Sequence, residues 1–281
     1  HRCDGSTWQK TTLAKGSSYS LPGVRDAEGY TFMGWSTKPM QSVSPQYEAE
    51  EKITVNGNVD LYAVVFNRTT ETDLTEDQLP QVDIYKYKQV IFVGDSRTEF
   101  MENVLTGMGE SATKNVKFVC SAGKGLDWFT TTGWAQLYSI VQHDSNSILS
   151  KKTAVIFNFG VNDLSKSADY AEYYNWIAPQ LKSKGCELYF MSVNPVNRLM
   201  LPNAGRADRS EAAVRSFNQY MKANLSSAYT YIDMYSYLKS TGYSFASDHY
   251  GTGTVDDGLH YTTRTYKRIF AKCMDSLRVP A

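Results

Sequence analysis

Val90-Ile91-Phe92-Val93-Gly94-Asp95-Ser96-Arg97-Thr98-Glu99 joins an apolar run to a polar helical start. Four consecutive apolar residues, Val90 to Val93, read as a buried strand closed by Gly94. The polar group Asp95-Ser96-Arg97-Thr98 then opens a helical pattern with Phe100, Val104 and Leu105 on one side. A serine at such a strand-to-helix turn sits at the mouth of a sheet. Its hydroxyl faces a helix N-terminus, where backbone N–H groups have no partner within the helix. That place suits a nucleophile whose reaction builds negative charge. It also suits an ordinary N-cap serine, so Ser96 has to be weighed with the rest of the chain.

Downstream, apolar strands alternate with amphipathic helices. Strands are predicted over 89–94, 116–120, 153–159, 187–193 and 229–233, and helices near 97–106, 134–142, 169–184, 210–226 and 263–278. This alternation predicts a parallel sheet covered by helices on both faces, a three-layer α/β/α fold. In such sheets ligands bind outside the carboxyl ends of the strands, and Ser96 stands at one of those ends. Upstream, 67–82 is rich in Thr, Glu and Asp, ends near Pro80, and reads as a linker. The predicted division is a small β domain over 1–66, a linker over 67–82 and the α/β domain over 83–281.

The first 66 residues show short alternating segments separated by Gly and Pro, with Asn56-Gly57-Asn58 as a turn signal before the last strand. They predict a small β domain with hairpin connections. The series Leu21-Pro22, Gly29-Tyr30-Thr31-Phe32-Met33-Gly34-Trp35-Ser36, Ile53-Thr54-Val55 and Val59-Asp60-Leu61-Tyr62-Ala63 resembles the Listeria–Bacteroides repeat of internalin-type bacterial surface proteins. Val65 departs from the aromatic usual there. The resemblance implies a β-grasp-like module, an extracytoplasmic bacterial protein, and a repeat that contacts the cell surface or glycans.

The remaining strand ends carry polar groups that can be read as chemistry. Cys120-Ser121-Ala122-Gly123 places a glycine where backbone can approach a ligand and aim an N–H at it, or where a plain turn needs one. Phe159-Gly160-Val161-Asn162-Asp163 offers an amide for developing negative charge, or a helix cap. Asp256-Asp257-Gly258-Leu259-His260, on a loop before the final helix, puts an Asp three residues before a His. That carboxylate can hold the ring's Nδ1–H and leave Nε2 to take a proton from a serine.

Gly94-Asp95-Ser96, Gly123, Gly160-Val161-Asn162-Asp163 and Asp257-Gly258-Leu259-His260, in this order from Lys88 to the C-terminus, resemble the SGNH, or GDSL-like, hydrolase family. Arg97 replaces the leucine of the common motif, and Ala122 precedes Gly123 where many members are more polar. The resemblance implies the flavodoxin-like SGNH sheet and a serine ester hydrolase that needs no metal or cofactor. It implies Ser96 as nucleophile, His260 as base and Asp257 as its orienting carboxylate. It also implies an oxyanion hole of the Ser96 N–H, the Gly123 N–H and the Asn162 amide. Asp256 competes for the carboxylate role, and the three-residue offset favours Asp257. Asp95 and Asp163 are expected to brace their turns.

Other residues carry weaker signals. Asn194 and Arg198 follow the fourth strand, and Trp128 follows Gly123, so all three are candidate substrate contacts. Asp248 and His249 with Asp256, Asp257 and His260 raise a metal site, but His260 already has a role and no metal is expected. Twenty Tyr and five Trp could stack on sugars, although most aromatics pack cores.

Composition narrows the partners. The 281 residues are 42% hydrophobic and 21% charged, enough for one large domain and a small one. Twenty-nine basic and 29 acidic residues leave zero formal charge, which argues against nucleic acid or an anionic membrane as the main partner. No apolar run approaches the roughly 20 residues of a membrane-spanning helix. The start at His1 reads as a fragment of a longer precursor. Cys3, Cys120, Cys186 and Cys273 have no metal-type spacing, and thiols are expected over bridges, with Cys186 and Cys273 the easiest pair. The two resemblances together imply a secreted or cell-surface bacterial esterase acting on acylated carbohydrate, from which it removes O-acetyl groups. The alternatives are a lipase-like or thioester hydrolase, and an adhesion protein whose large domain is inactive.

Overall fold

The computed structural model describes residues 1–84, 86–144, 151–247 and 256–277. The chain forms two compact units. One comprises Asp73–Val193, Ser216–Met234 and Thr263–Ala281, and the other His1–Thr72, Asn194–Arg215 and Tyr235–Thr262.

The first of these is built on the parallel sheet. Its strands are β5 (Tyr87–Gly94), β6 (Val116–Cys120), β7 (Lys152–Asn158), β8 (Cys186–Met191) and β9 (Tyr229–Ile232), in the order β6-β5-β7-β8-β9. Val90 to Val93 are all at most 1% exposed, as an apolar run covered on both faces requires. Its helices are α1 (Ser96–Met108), α2 (Glu110–Thr113), α3 (Leu126–Trp128), α4 (Trp134–Asp144), α5 (Ser167–Ser183), α8 (Thr263–Ser276) and all but the first turn of α6 (Glu211–Asn224), while α7 (Met234–Thr241) falls in the other unit from Tyr235 onward. Phe92 meets Phe270 of α8 at 5.8 Å, and Phe157 meets Tyr174 of α5 at 4.8 Å. Because Phe157 is in register with Val93, Phe92 and Phe157 point to opposite faces, so helices cover both. The strand order reverses at β5, and Gly94 lies in register with Asn158. The crevice at the carboxyl ends of β5 and β7 is therefore the topological switch point, where open α/β sheets bind ligands.

A π turn over Phe129–Gly133, unforeseen in the polar Thr130-Thr131-Thr132-Gly133 run, joins α3 to α4. The fully buried Phe129, packed against Phe157, Phe159 and Tyr174, holds it. None of the four cysteines is in a disulfide. Cys273 is buried, with its Sγ 3.3 Å from Met191 Sδ.

In the other unit, β1 (Ser17–Ser20) pairs antiparallel with β3 (Lys52–Val55), and β2 (Tyr30–Ser36) with β4 (Tyr62–Asn67). This small antiparallel β region does not use the expected hairpin connections, because each strand pairs with the next but one. The long 37–51 segment between β2 and β3 contains Pro39 and Pro45, and is tied back by Trp35 and Tyr47 rather than closed as a tight turn. Gly34 permits this: its φ is 142°, and a side chain there would meet the Tyr47 carbonyl at 2.5 Å. Leu21, Phe32 and Trp35 form the core.

The same unit contains β10 (Phe245–Ser247) paired antiparallel with β11 (Asp256–Tyr261). It also holds a buried ion cluster. Lys239 donates to the Met33 carbonyl at 2.8 Å and lies 2.9 Å from Glu48 and 3.1 Å from Glu211. Burial works against the Lys239 charge, but the two carboxylates outweigh it and raise its pKa.

Candidate active site

Each candidate residue is placed by a local structural cause. Ser96 opens α1 and is 6% exposed. Asp95 caps the helix: its carboxylate accepts from the Arg97 N–H at 3.0 Å, and its carbonyl from Thr98 and Glu99. Gly94 lets this turn press on the sheet, since a side chain there would run into Thr98 and meet the Asn158 carbonyl at 2.9 Å. Ser96 therefore sits at a helix N-terminus, where partial positive charge favours an anion.

Gly123 is exposed with φ of 69°, a conformation that favours glycine. Asn162 donates through Nδ2 to the Lys124 carbonyl at 2.8 Å. That nitrogen carries two hydrogens, and this bond uses one while fixing the direction of the amide. Asp163 joins the two loops: Oδ2 accepts from the Leu126 N–H at 2.9 Å and Oδ1 from the Tyr170 hydroxyl at 2.7 Å. Asp95 and Asp163 thus brace their turns. Gly160, at φ of 128°, leaves no room for a side chain, because the Phe217 ring would lie 2.5 Å away.

The second half of the constellation lies on β11. Asp257 and His260, expected on a loop, occupy a strand formed by pairing with β10. Asp257 is fully buried and His260 is 2% exposed. Asp257 Oδ1 accepts from the backbone N–H groups of Leu259 and His260, at 2.8 and 2.7 Å. Its Oδ2 lies 2.5 Å from His260 Nδ1. Burial pushes the Asp257 carboxyl up, but the bond to His260, its charge and the two N–H groups outweigh burial and hold it below the ordinary range. An ionised carboxylate can only accept, so Nδ1 carries the proton and Nε2 is left as the basic nitrogen.

Asp256 has a different partner, Arg68, whose Nη1 is 2.5 Å from Asp256 Oδ2. Arg206, which no spacing signalled, brings Nη2 to 3.5 Å from Asp257 Oδ2.

The remaining candidates are set as follows. Trp128 is half-buried, with its ring 6.1 Å from that of Phe159. Asn194 is buried. Arg198 is engaged by Asp208 at 2.6 and 2.7 Å and by Glu50 at 3.4 Å. Asp248 and His249 lie outside the described residues.

Residues 90–273 match the model of the GDSL-like lipase/acylhydrolases. The chain belongs to this family. It is by family an ester hydrolase, with the α/β/α fold of the SGNH hydrolases. Residues 2–64 of this GDSL-like hydrolase match the Listeria–Bacteroides repeat domain, a repeat found in surface proteins. Comparison with curated proteins returns no match.

Among solved structures, the hydrolase is similar to a protein of Bacteroides fragilis described as an acylhydrolase, with 16% identity, 72% of this chain and 93% of that one covered, and a TM-score of 0.43. It is also similar to a Slackia heliotrinireducens protein described as an SGNH hydrolase, with 13% identity, 68% and 100% covered, and a TM-score of 0.46. An acetyl xylan esterase matches at 11% identity, with 68% and 100% covered and a TM-score of 0.43. Among the described residues no helix is long and apolar enough to cross a membrane.

Proposed function

We propose that this GDSL-like hydrolase is a secreted or surface-attached bacterial serine esterase that removes O-acetyl groups from carbohydrate. The observation that carries the esterase reading is the buried contact of 2.5 Å between Asp257 Oδ2 and His260 Nδ1, which fixes an imidazole with Nε2 basic. Ser96 Oγ attacks the ester carbonyl carbon while His260 Nε2 takes the hydroxyl proton. The tetrahedral oxyanion is stabilised by the Ser96 N–H, the Gly123 N–H and the Asn162 amide. The imidazolium then protonates the leaving alcohol as the C–O bond breaks. Water adds to the acyl-serine with the same base, and acetate departs as Ser96 recovers its proton. Asp257 keeps its negative charge throughout and stabilises the imidazolium. The carbohydrate part rests on the surface-protein repeat matched over residues 2–64.

The test is acetate release from p-nitrophenyl acetate, acetylated xylan, O-acetylated peptidoglycan and O-acetyl sialic acid by the wild-type chain and by Ser96→Ala. Acetate should appear from p-nitrophenyl acetate and at least one glycan, and the variant should release none. Unchanged activity in Ser96→Ala ends the esterase reading. A preference for long acyl chains over acetyl would replace the deacetylase by a lipase-like enzyme.

A further inference from the structure

We propose that Asp26 and Arg68, contributed by the N-terminal β region, are positioning residues for the Asp257–His260 pair, so that this region is a working part of the enzyme. The proposal rests on the esterase reading above.

Two tethers hold the backbone of β11 on either side of Asp257, and both end on one carboxylate. On one side is Asp256, whose Oδ2 lies 2.5 Å from Arg68 Nη1. The Nη2 of the same guanidinium lies 2.6 Å from Asp26 Oδ2, and its Nε donates to Thr31 Oγ1 at 2.9 Å. On the other side is Gly258, whose carbonyl accepts from the Asn197 backbone N–H at 2.9 Å. The Asn197 side chain donates to Asp26 Oδ1 at 2.8 Å and to the Val24 carbonyl at 3.1 Å. Asp26 Oδ1 also accepts from the Phe32 N–H at 3.0 Å, which ties the carboxylate to β2. Gly258 carries φ of 68°, and a side chain there would meet the Asn197 carbonyl at 2.5 Å, so this approach is close as well as bonded.

A planar guanidinium that bridges two carboxylates and a hydroxyl fixes direction as well as distance. Burying such a network carries a desolvation cost that apolar packing would avoid. Here its two ends fall on the immediate neighbours of the carboxylate that orients His260. A misplacement of about 1 Å at such a site can cost about 100-fold in rate.

The experiment uses the full chain with Arg68→Met, Asp26→Asn and Ser96→Ala. A fluorophosphonate that modifies the nucleophilic serine, run to completion, counts competent sites, and kcat on p-nitrophenyl acetate is expressed per titrated site. Irreversible misfolding lowers the count of sites but leaves kcat per site unchanged, and a circular dichroism spectrum equal to the wild type's excludes reversible unfolding, so the two readouts together separate positioning from stability. Arg68→Met and Asp26→Asn should lower kcat per site by about 10–100-fold with KM within about twofold. Unchanged kcat per site in both, with Ser96→Ala inactive, overturns the positioning role and leaves the esterase reading standing. An active Ser96→Ala overturns the reading beneath it. Should Arg68→Met not fold, Asp256→Asn cuts the same tether at its partly exposed end. It should lower kcat per site in the same direction, and an unchanged value would overturn the proposal.

Discussion

Replacing Asp257 with Asn changes one atom of the site and reverses its proton logic. In the wild type, Oδ1 accepts from two backbone N–H groups at 2.8 and 2.7 Å, while Oδ2 faces His260 Nδ1 at 2.5 Å. An amide has one oxygen and one NH2. The two backbone donors are fixed by the strand, so they select the oxygen, and the NH2 turns toward Nδ1. Nδ1 must then accept, the ring proton moves to Nε2, and the imidazole can no longer take a proton from Ser96. The equivalent Asp-to-Asn change in the Ser-His-Asp triad of serine proteases lowers kcat about 10⁴-fold. The same tautomer argument predicts a similar loss here, about 5 kcal/mol of transition-state stabilisation at about 1.36 kcal/mol per decade. The backbone bonds survive, so the fold should survive too. The assay is kcat/KM on p-nitrophenyl acetate across pH, with circular dichroism to confirm folding. A folded Asp257→Asn within about tenfold of wild type would mean that the Nδ1–H tautomer of His260 is not needed for turnover.

Other substitutions test separate parts of the account. Asn162→Ala should lower kcat by about 10²–10³-fold with little change in KM, as for removal of one oxyanion donor; an equal loss in KM alone would make Asn162 a ground-state contact. Lys239→Met takes from buried Glu211 and Glu48 the cation in direct contact with both, leaving Arg215 as the charge near them, and should cost about 3–5 kcal/mol in urea unfolding; a loss under about 1 kcal/mol would mean that Arg215 suffices to balance the pair. Burial pushes the Asp26 carboxyl up to about 6, despite the Phe32 N–H and Arg68. The folded chain thus holds this proton more tightly than the unfolded chain, and wild-type stability should fall as pH rises from about 4 to about 6 through ionisation of this group. Asp26→Asn removes that slope, so its stability relative to wild type should shift in its favour by about 3 kcal/mol between pH 4 and 7. Parallel stability curves would contradict the assignment.

The parallel sheet was readable because its strands are apolar runs bounded by glycine or polar turns. The predicted strand over 89–94 begins two residues late against Tyr87–Gly94, and the one over 116–120 matches Val116–Cys120. The serine turn, the Gly123 loop and the Asn162 loop follow from those strand ends. The setting of His260 was less readable. Asp256-Asp257-Gly258 is polar, contains a left-handed glycine, and becomes strand only through pairing with β10. The pairing of β1 with β3 and β2 with β4 left no local mark, since turn residues predict hairpins and say nothing of strands that skip a neighbour. The tethers of Asp26 and Arg68 were invisible for the same reason: Arg68 and Asp256 are 188 positions apart, and no spacing rule connects them. Short α7 was also missed, because its eight residues, Met234 to Thr241, are fewer than the window over which a helical period can be told from chance.

The proposed mechanism makes Ser96 a nucleophile whose proton is removed by His260. Its most direct test is the rate at which a fluorophosphonate modifies the wild-type chain and His260→Ala, with the modified residue located by peptide mass mapping. The account predicts a single adduct on Ser96 and labelling slower by at least about 100-fold without the imidazole. Labelling of His260→Ala at the wild-type rate, or an adduct elsewhere with Ser96 untouched, would contradict it.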